Sequence, residues 1–136
     1  MQKMNGCVLD CSFFVSSLMP DENPSDFNFD AQNVFVPSVF FLECSNVFLT
    51  ALKRGRLDVA SYELCIKAIY DLQFIVDSFS ANNSGVFTIS NIAKAHNLTS
   101  YDSCYIELAL RLGVPLGTSD KKVAKVCHDL NIKTIF

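Results

Sequence analysis

The stretch from Leu98 to Asp120 leaves a chain of this kind few folds to choose from. Tyr101, Cys104, Tyr105, Leu108 and Leu112 recur at helical spacing, and Gly113 stands where a helix stops. Val114-Pro115-Leu116-Gly117-Thr118 follows at once and reads as a short buried strand, with Pro115 near its beginning, where a missing N–H is tolerated. A dozen helical residues advance about 18 Å at roughly 1.5 Å each. The strand returns about 16 Å at roughly 3.3 Å per residue. Helix and strand are therefore matched in length and opposite in direction. Asp102, at the helix start, and Asp120, just past the strand, come to the same rim. In an open α/β sheet that rim is the carboxyl edge, where ligands bind.

The rest of the chain alternates in the same way. Gly6 to Asp10 reads as a buried strand ending on a carboxylate, and Cys11 to Leu18 as the helix after it, stopped by Met19-Pro20 and the polar loop Asp21 to Ser25. Asp26 to Gln32 holds one helical turn or two. Asn33 to Val36 makes a second strand, and Pro37 opens a helix running to Lys53 at a favoured first position. That helix is apolar almost all round, which predicts burial, yet it carries Glu43 and Asn46 one turn apart. Leu57 to Leu72 is its antiparallel partner, Phe74 to Asp77 a third strand and Ser84 to His96 a helix weakened at its start by Gly85. Asp120 to Leu130 is the last helix and Lys133 to Phe136 an edge strand. Strands alternating with helices, without repeat or linker, predict one domain over residues 1–136: a three-layer α/β/α sandwich on a mostly parallel sheet.

Composition narrows the function. With a net charge of −3 the chain does not coat nucleic acid by bulk positive charge, so any such substrate needs a local site. No apolar run approaches the roughly 20 residues that span a bilayer. Lys3 and the apolar residues after it faintly echo a signal peptide, but Asp10 interrupts them and no small-residue cleavage site follows, so a cytoplasmic protein is expected. The 6 cysteines form no C-x-x-C pair and only 2 histidines accompany them, which argues for buried reduced thiols over a zinc site.

By the same geometry Asp10 ends the first strand at the carboxyl edge, and Glu43 lies near that edge in the helix leaving the second. Asp10, Glu43, Asp102 and Asp120 thus converge from distant parts of the chain. Close negative groups repel until protons or a cation relieve them. Mg²⁺ or Mn²⁺ suits a few carboxylates plus waters, and such ions activate water for phosphodiester displacement. Each terminal acid also has a structural reading: Asp10 and Asp120 as helix caps, Asp102 as the fourth residue of a capping box from Thr99. Glu43, inside an apolar helix, has no such reading.

Val8-Leu9-Asp10-Cys11-Ser12, Glu43-Cys44-Ser45-Asn46, Tyr101-Asp102-Ser103-Cys104-Tyr105 and Thr118-Ser119-Asp120 together resemble the successive motifs of the PIN domain, in particular VapC-type toxins of type II toxin–antitoxin pairs. The resemblance runs from about Cys7 to Phe136. It implies a PIN-like nuclease domain, a Mg²⁺- or Mn²⁺-dependent endoribonuclease, usually a homodimer inhibited by a small antitoxin. Carried over by motif, Asp10, Glu43, Asp102 and Asp120 are the catalytic metal ligands, Asp10 and Asp102 the most direct. Ser12, Asn46 and Thr118 orient carboxylates or water. Ser103 stands where the family commonly has Ala. For RNA phosphates the candidates are Lys121, Lys122 and Lys125 beside Asp120, and Arg54 and Arg56 at the end of the Pro37–Lys53 helix. All five also fit solvated helix surfaces. A catalytically silent, protein-binding PIN-like module is the alternative. A phosphohydrolase ranks lower, because Asp10-Cys11-Ser12 lacks the second acid of a D-x-D motif.

Overall fold

A computed structural model describes residues 5–22 and 26–135. Five strands, β1 (Gly6–Leu9), β2 (Asn33–Pro37), β3 (Ile75–Asp77), β4 (Leu116–Gly117) and β5 (Thr134–Ile135), form one sheet in the order β3-β2-β1-β4-β5, every pair parallel. The helices are α1 (Cys11–Leu18), α2 (Phe40–Lys53), α3 (Val59–Asp71), α4 (Asn83–His96), α5 (Ser100–Leu112) and α6 (Lys121–Asp129). The chain steps outward from β1 to β2 to β3, then returns across the sheet to β4 and β5. With right-handed crossovers the outward helices and the returning helices occupy opposite faces, giving the expected α/β/α layers. The order reverses between β1 and β4. Such a switch point opens a crevice at the carboxyl ends of the strands.

The core explains why the aromatic content is Phe rather than Trp or Tyr. Phe14 of α1 packs its ring against Phe29, Phe40, Phe48 and Phe74, with centroids 5.6 to 6.5 Å apart. Tilted and edge-to-face rings fill this volume without leaving a polar atom to satisfy. Beneath them Cys7, Val8 and Leu9 of β1 are fully buried, as a central parallel strand requires. All six cysteines are buried free thiols.

Helix ends follow local chemistry. Asn82 caps α4 by accepting from the Gly85 N–H, and Thr99 caps α5 by accepting from the Asp102 N–H. Gly113 closes α5 in the left-handed conformation at φ 68°. Gly85 is required for a different reason: a Cβ there would collide with the carbonyl oxygen and carbon of Phe79, in a short 3₁₀ turn (Phe79–Ala81) before α4.

Several expectations are corrected. Pro37 ends β2, in register with Asp77, rather than opening α2, which begins at Phe40. The α2 helix is not buried all round: Phe40, Cys44, Phe48 and Ala51 face the core, while Leu42 is 75% exposed. The strand expected over Val114 to Thr118 is hydrogen-bonded as β4 only at Leu116–Gly117. Asp26 to Gln32 contains no helix. The N-terminal residues 1–4, loop residues 23–25 and the end of the predicted final strand at Phe136 lie outside the described residues. Among the described residues no helix is long and apolar enough to cross a membrane.

Candidate functional site

Four acids stand at four helix N-termini. Asp10 and Asp120 are the N-caps of α1 and α6, and Glu43 and Asp102 lie in the first turns of α2 and α5. Each helix presents unpaired N–H groups and the positive end of its dipole there, which favours negative charge. The capping readings of Asp10 and Asp120 are therefore correct as far as they go. Asp10 accepts from the Phe13 N–H at 2.9 Å, and Asp120 from the Lys122 and Val123 N–H groups at 2.8 and 3.1 Å.

The ends of β1 and β4 are stitched together beneath these caps. The Asp10 N–H donates to the Gly117 carbonyl. Ser12 Oγ donates to Asp10 Oδ1 at 2.6 Å, accepts from the Ser119 N–H at 3.0 Å and lies 3.4 Å from Thr118 Oγ1. Thr118 Oγ1 accepts from the Asp120 N–H at 3.1 Å. Asp10 is 3% exposed and Thr118 1%. The carboxylate at the switch point is thus buried and held by hydroxyls from the first turn of α1 and from the residue after β4.

Electrostatics tie Asp102 and Glu43 to Asp10, and Asp120 to Asp102. Burial pushes the Asp10 carboxyl above the usual range, against hydrogen bonds from Ser12, Thr118 and Phe13, and the negative charge of Asp102 adds to the rise. Glu43 is raised by burial, with Asp102 and Asp10 as further causes, while its bond from Tyr105 works the other way. Asp102 is raised by burial and by Asp120, and lowered by Thr99 and Lys122. Asp102 thus raises both Asp10 and Glu43, and is itself raised by Asp120.

The remaining candidates scatter. Asn46 is exposed on α2. Lys121, Lys122 and Lys125 are exposed on α6, and Lys122 lowers the Asp102 carboxyl. Arg56 is committed to Asp21 in a forked pair at 3.0 and 3.1 Å, with Glu22 beside it. Arg54 caps the far end of α2, about 16 Å from Glu43 at 1.5 Å per residue.

Sequence reasoning missed two features. Tyr105, read as one of an apolar stripe, donates its hydroxyl to Glu43 Oε1 at 2.7 Å. Glu107 is 5% exposed and receives Arg111, whose guanidinium also grips Asp77 at 2.7 and 3.0 Å and lies over the Phe79 ring. The Glu107/Arg111 spacing of four residues was a visible signal for the second. No sequence signal distinguishes a Tyr hydroxyl that serves a carboxylate from one that reaches water.

A divalent cation, which the family resemblance implies, fits the donors in kind: they are hard oxygens, and their raised proton affinity is the strain a cation relieves. Among the described residues no three carboxylate, thiol or imidazole groups are gathered closely enough to form a ready-made cage. Mg²⁺ does not need one, since it keeps several waters and takes one or two direct carboxylates.

No family model and no characterised protein matches the sequence. Solved structures do share the fold. PAE2754 from Pyrobaculum aerophilum matches with a TM-score of 0.66 at 16% identity, covering 91% of this chain and 86% of that one. FitAcB from Neisseria gonorrhoeae matches with a TM-score of 0.59 at 13% identity, covering 96% of each chain. At such identities the likeness is one of architecture: an α/β, PIN-like fold.

Proposed function

We propose that the chain is a metal-dependent endoribonuclease, the toxin of a type II toxin–antitoxin pair, cutting RNA at the Asp10 rim. What supports this reading is that Asp10, Glu43 and Asp102 stand at the N-terminal ends of α1, α2 and α5, with the charge of Asp102 raising the carboxyls of both Asp10 and Glu43. Their motif resemblance and the switch-point location support the same reading. Asp10, Glu43, Asp102 and Asp120 would hold Mg²⁺ or Mn²⁺. Bound there, the cation supplies Lewis acidity and counter-charge for phosphodiester displacement.

The chain's own groups do the positioning. Ser12 and the Phe13 N–H both hold Oδ1 of Asp10, fixing the plane of that carboxylate. Tyr105 holds Oε1 of Glu43. Four helix N-termini offset the negative charge of the acids and of an incoming phosphate. Lys122, which lowers the Asp102 carboxyl, would meet that phosphate.

The test is incubation of the pure protein with structured RNAs, with and without Mn²⁺. Cleavage is expected only with metal and is expected to vanish when Asp10→Asn and Asp102→Asn are combined. Metal-independent cleavage, or cleavage surviving both substitutions, refutes the mechanism.

The alternative, a catalytically silent PIN-like module that binds a protein, draws on the exposed Leu42 of α2 and Val59, Leu64 and Tyr70 of α3. In the toxin reading the same residues are available to an antitoxin, and a homodimer remains part of the proposal. Copurification of a tight partner, with no rise in melting temperature on adding Mn²⁺, favours the silent module.

A further inference from the structure

Two cysteines stand directly behind two of the acids. Cys11 follows Asp10 at the start of α1, and Cys44 follows Glu43 in α2. The seam between these helices sets them face to face. Phe40, Cys44 and Phe48 recur every fourth residue along the buried stripe of α2, all three with no exposed surface. The ring of Phe14 lies against Phe40 and Phe48, with centroids at 5.6 and 6.5 Å, so it packs over the turn that carries Cys44. Cys11 precedes Phe14 by one helical turn, on the same buried face of α1. The two thiols share a hydrogen bond, which outweighs burial among the influences that keep Cys44 protonated. Cys11 is 8% exposed, whereas Cys44 is fully covered. Cys104, the other thiol close to the acids, is engaged elsewhere, donating to the Tyr101 carbonyl at 2.9 Å.

We propose that Cys11 and Cys44 are a redox pair whose disulfide disarms the acid rim. The linkage follows from the packing of α1 on α2, while its consequence rests on the ribonuclease reading. The oxidant is a hydroperoxide, in the simplest case hydrogen peroxide. Cys11, with its edge in solvent, meets it first. Its sulfur takes one oxygen and becomes a sulfenic acid as the O–O bond breaks and water leaves. The Cys44 sulfur then displaces the sulfenic hydroxyl, which departs with the Cys44 proton as a second water. Two thiols and one hydrogen peroxide thus give one disulfide and two waters. The new bond is about 2.05 Å long, far inside the contact distance of two thiols. Closing it draws the first turns of α1 and α2 together. Asp10 and Glu43 are each one peptide away from a bonded sulfur, so neither carboxylate keeps its place against Ser12 or Tyr105. Such supports set the affinity of a carboxylate site for its cation. A small thiol reverses the step by exchange.

The experiment uses the full chain, purified in the reduced state, and hydrogen peroxide. Thiol titration in denaturant is expected to lose two of the 6 thiols, with two hydrogens gone from the intact mass and a peptide joining Cys11 to Cys44. Oxidation is expected to weaken Mn²⁺ binding about tenfold, read from the melting temperature across a Mn²⁺ titration, the scale at which misplaced supports act. Dithiothreitol is expected to restore both readings. Cys11→Ala and Cys44→Ala are each expected to keep their Mn²⁺ response through the same treatment. Where one of them fails to fold, the other and the peptide map of the parent decide. All thiols surviving peroxide, a disulfide that omits either residue, or an unchanged Mn²⁺ response in the linked chain overturns the inference. The two readings fail separately. A linked chain with a blunted Mn²⁺ response that cuts no RNA when reduced ends the ribonuclease reading and leaves the redox pair standing. Mn²⁺-dependent cleavage that peroxide leaves untouched ends the redox pair alone.

Discussion

Tyr105 and Glu43, on helices from opposite halves of the chain, meet in a hydrogen bond of 2.7 Å in which the phenol donates to the carboxylate. Tyr105 is 1% exposed, and its hydroxyl is pushed far above the ordinary phenol range by burial and by Glu43. The phenol therefore stays protonated and able to donate across the whole working pH range.

Tyr105→Phe keeps the ring and removes the donor. It is expected to destabilise the chain by about 1–3 kcal/mol, the cost of leaving a half-buried carboxylate short of a partner. Urea denaturation of the two proteins measures it. The carboxyl of Glu43 should rise further, so a nuclease activity should shift its acid limb to higher pH in the variant.

Arg111 serves two acids of opposite behaviour. Arg111 holds Asp77 below the usual carboxylate range, so the stability Asp77 contributes is complete above the unfolded value of about 3.9 and is lost as pH falls through the lower folded value. Burial raises Glu107, against the pull of Arg111, so Glu107 ionises at a cost that appears as pH rises through its folded value. Arg111→Met removes the counter-charge from both. It is expected to cost roughly 2 kcal/mol at pH 7, below the range for fully buried pairs because Arg111 is partly solvated. The loss should be smaller at pH 5, where more of Glu107 is protonated. Equal losses at both pH values would sink this account.

Asp120 can be split into its two duties. Asp120→Ala is expected to cost about 1 kcal/mol through loss of the α6 cap, and Asp120→Ser only a few tenths. If Asp120 also holds a cation, both variants should lose Mn²⁺-dependent activity alike. Stability and activity that fall and recover together would confine Asp120 to capping.

Gly85→Ala is expected to destabilise by about 2–3 kcal/mol, although alanine is the better helix former, because its methyl meets the Phe79 backbone. Thermal unfolding of the variant checks it.

Metal binding should be visible without any substrate. A cation at a hundredfold its dissociation constant stabilises the folded state by about 2.7 kcal/mol. The melting temperature is expected to rise with Mn²⁺ in the unsubstituted chain and to stay flat in Asp10→Asn combined with Asp102→Asn.

The architecture was largely legible because helical and strand periods alternate so plainly, and the α5 pattern together with Gly113 located the joint on which the sheet turns. The arrival of Asp102 and Asp120 at one rim followed from matching the lengths of a helix and a strand. What escaped was whatever depends on a third element. Pro37 fits the start of a helix on local grounds, and only its pairing beside β3 makes it the end of a strand. Leu42 sits in an apolar sequence, but a helix packed along one side leaves its other side outward whatever the composition. Glu107 and Tyr105 needed Asp77 and Glu43, which lie far away in sequence.

The strand order also sets a schedule for a ribosome making this chain. β1 can pair with β2 within a few dozen residues of leaving the exit tunnel, but its other neighbour, β4, is translated only after α1 to α5 and the two strands between them. Thr118 and Asp120 travel with β4. At ordinary rates of about 5–20 residues per second, the nascent protein passes several seconds with Asp10 lacking its hydroxyl support from Thr118. The acid rim is therefore completed only once β4 has been made, and a chain truncated before Leu116 would carry Asp10, Glu43 and Asp102 without the strand that locks the first of them in place.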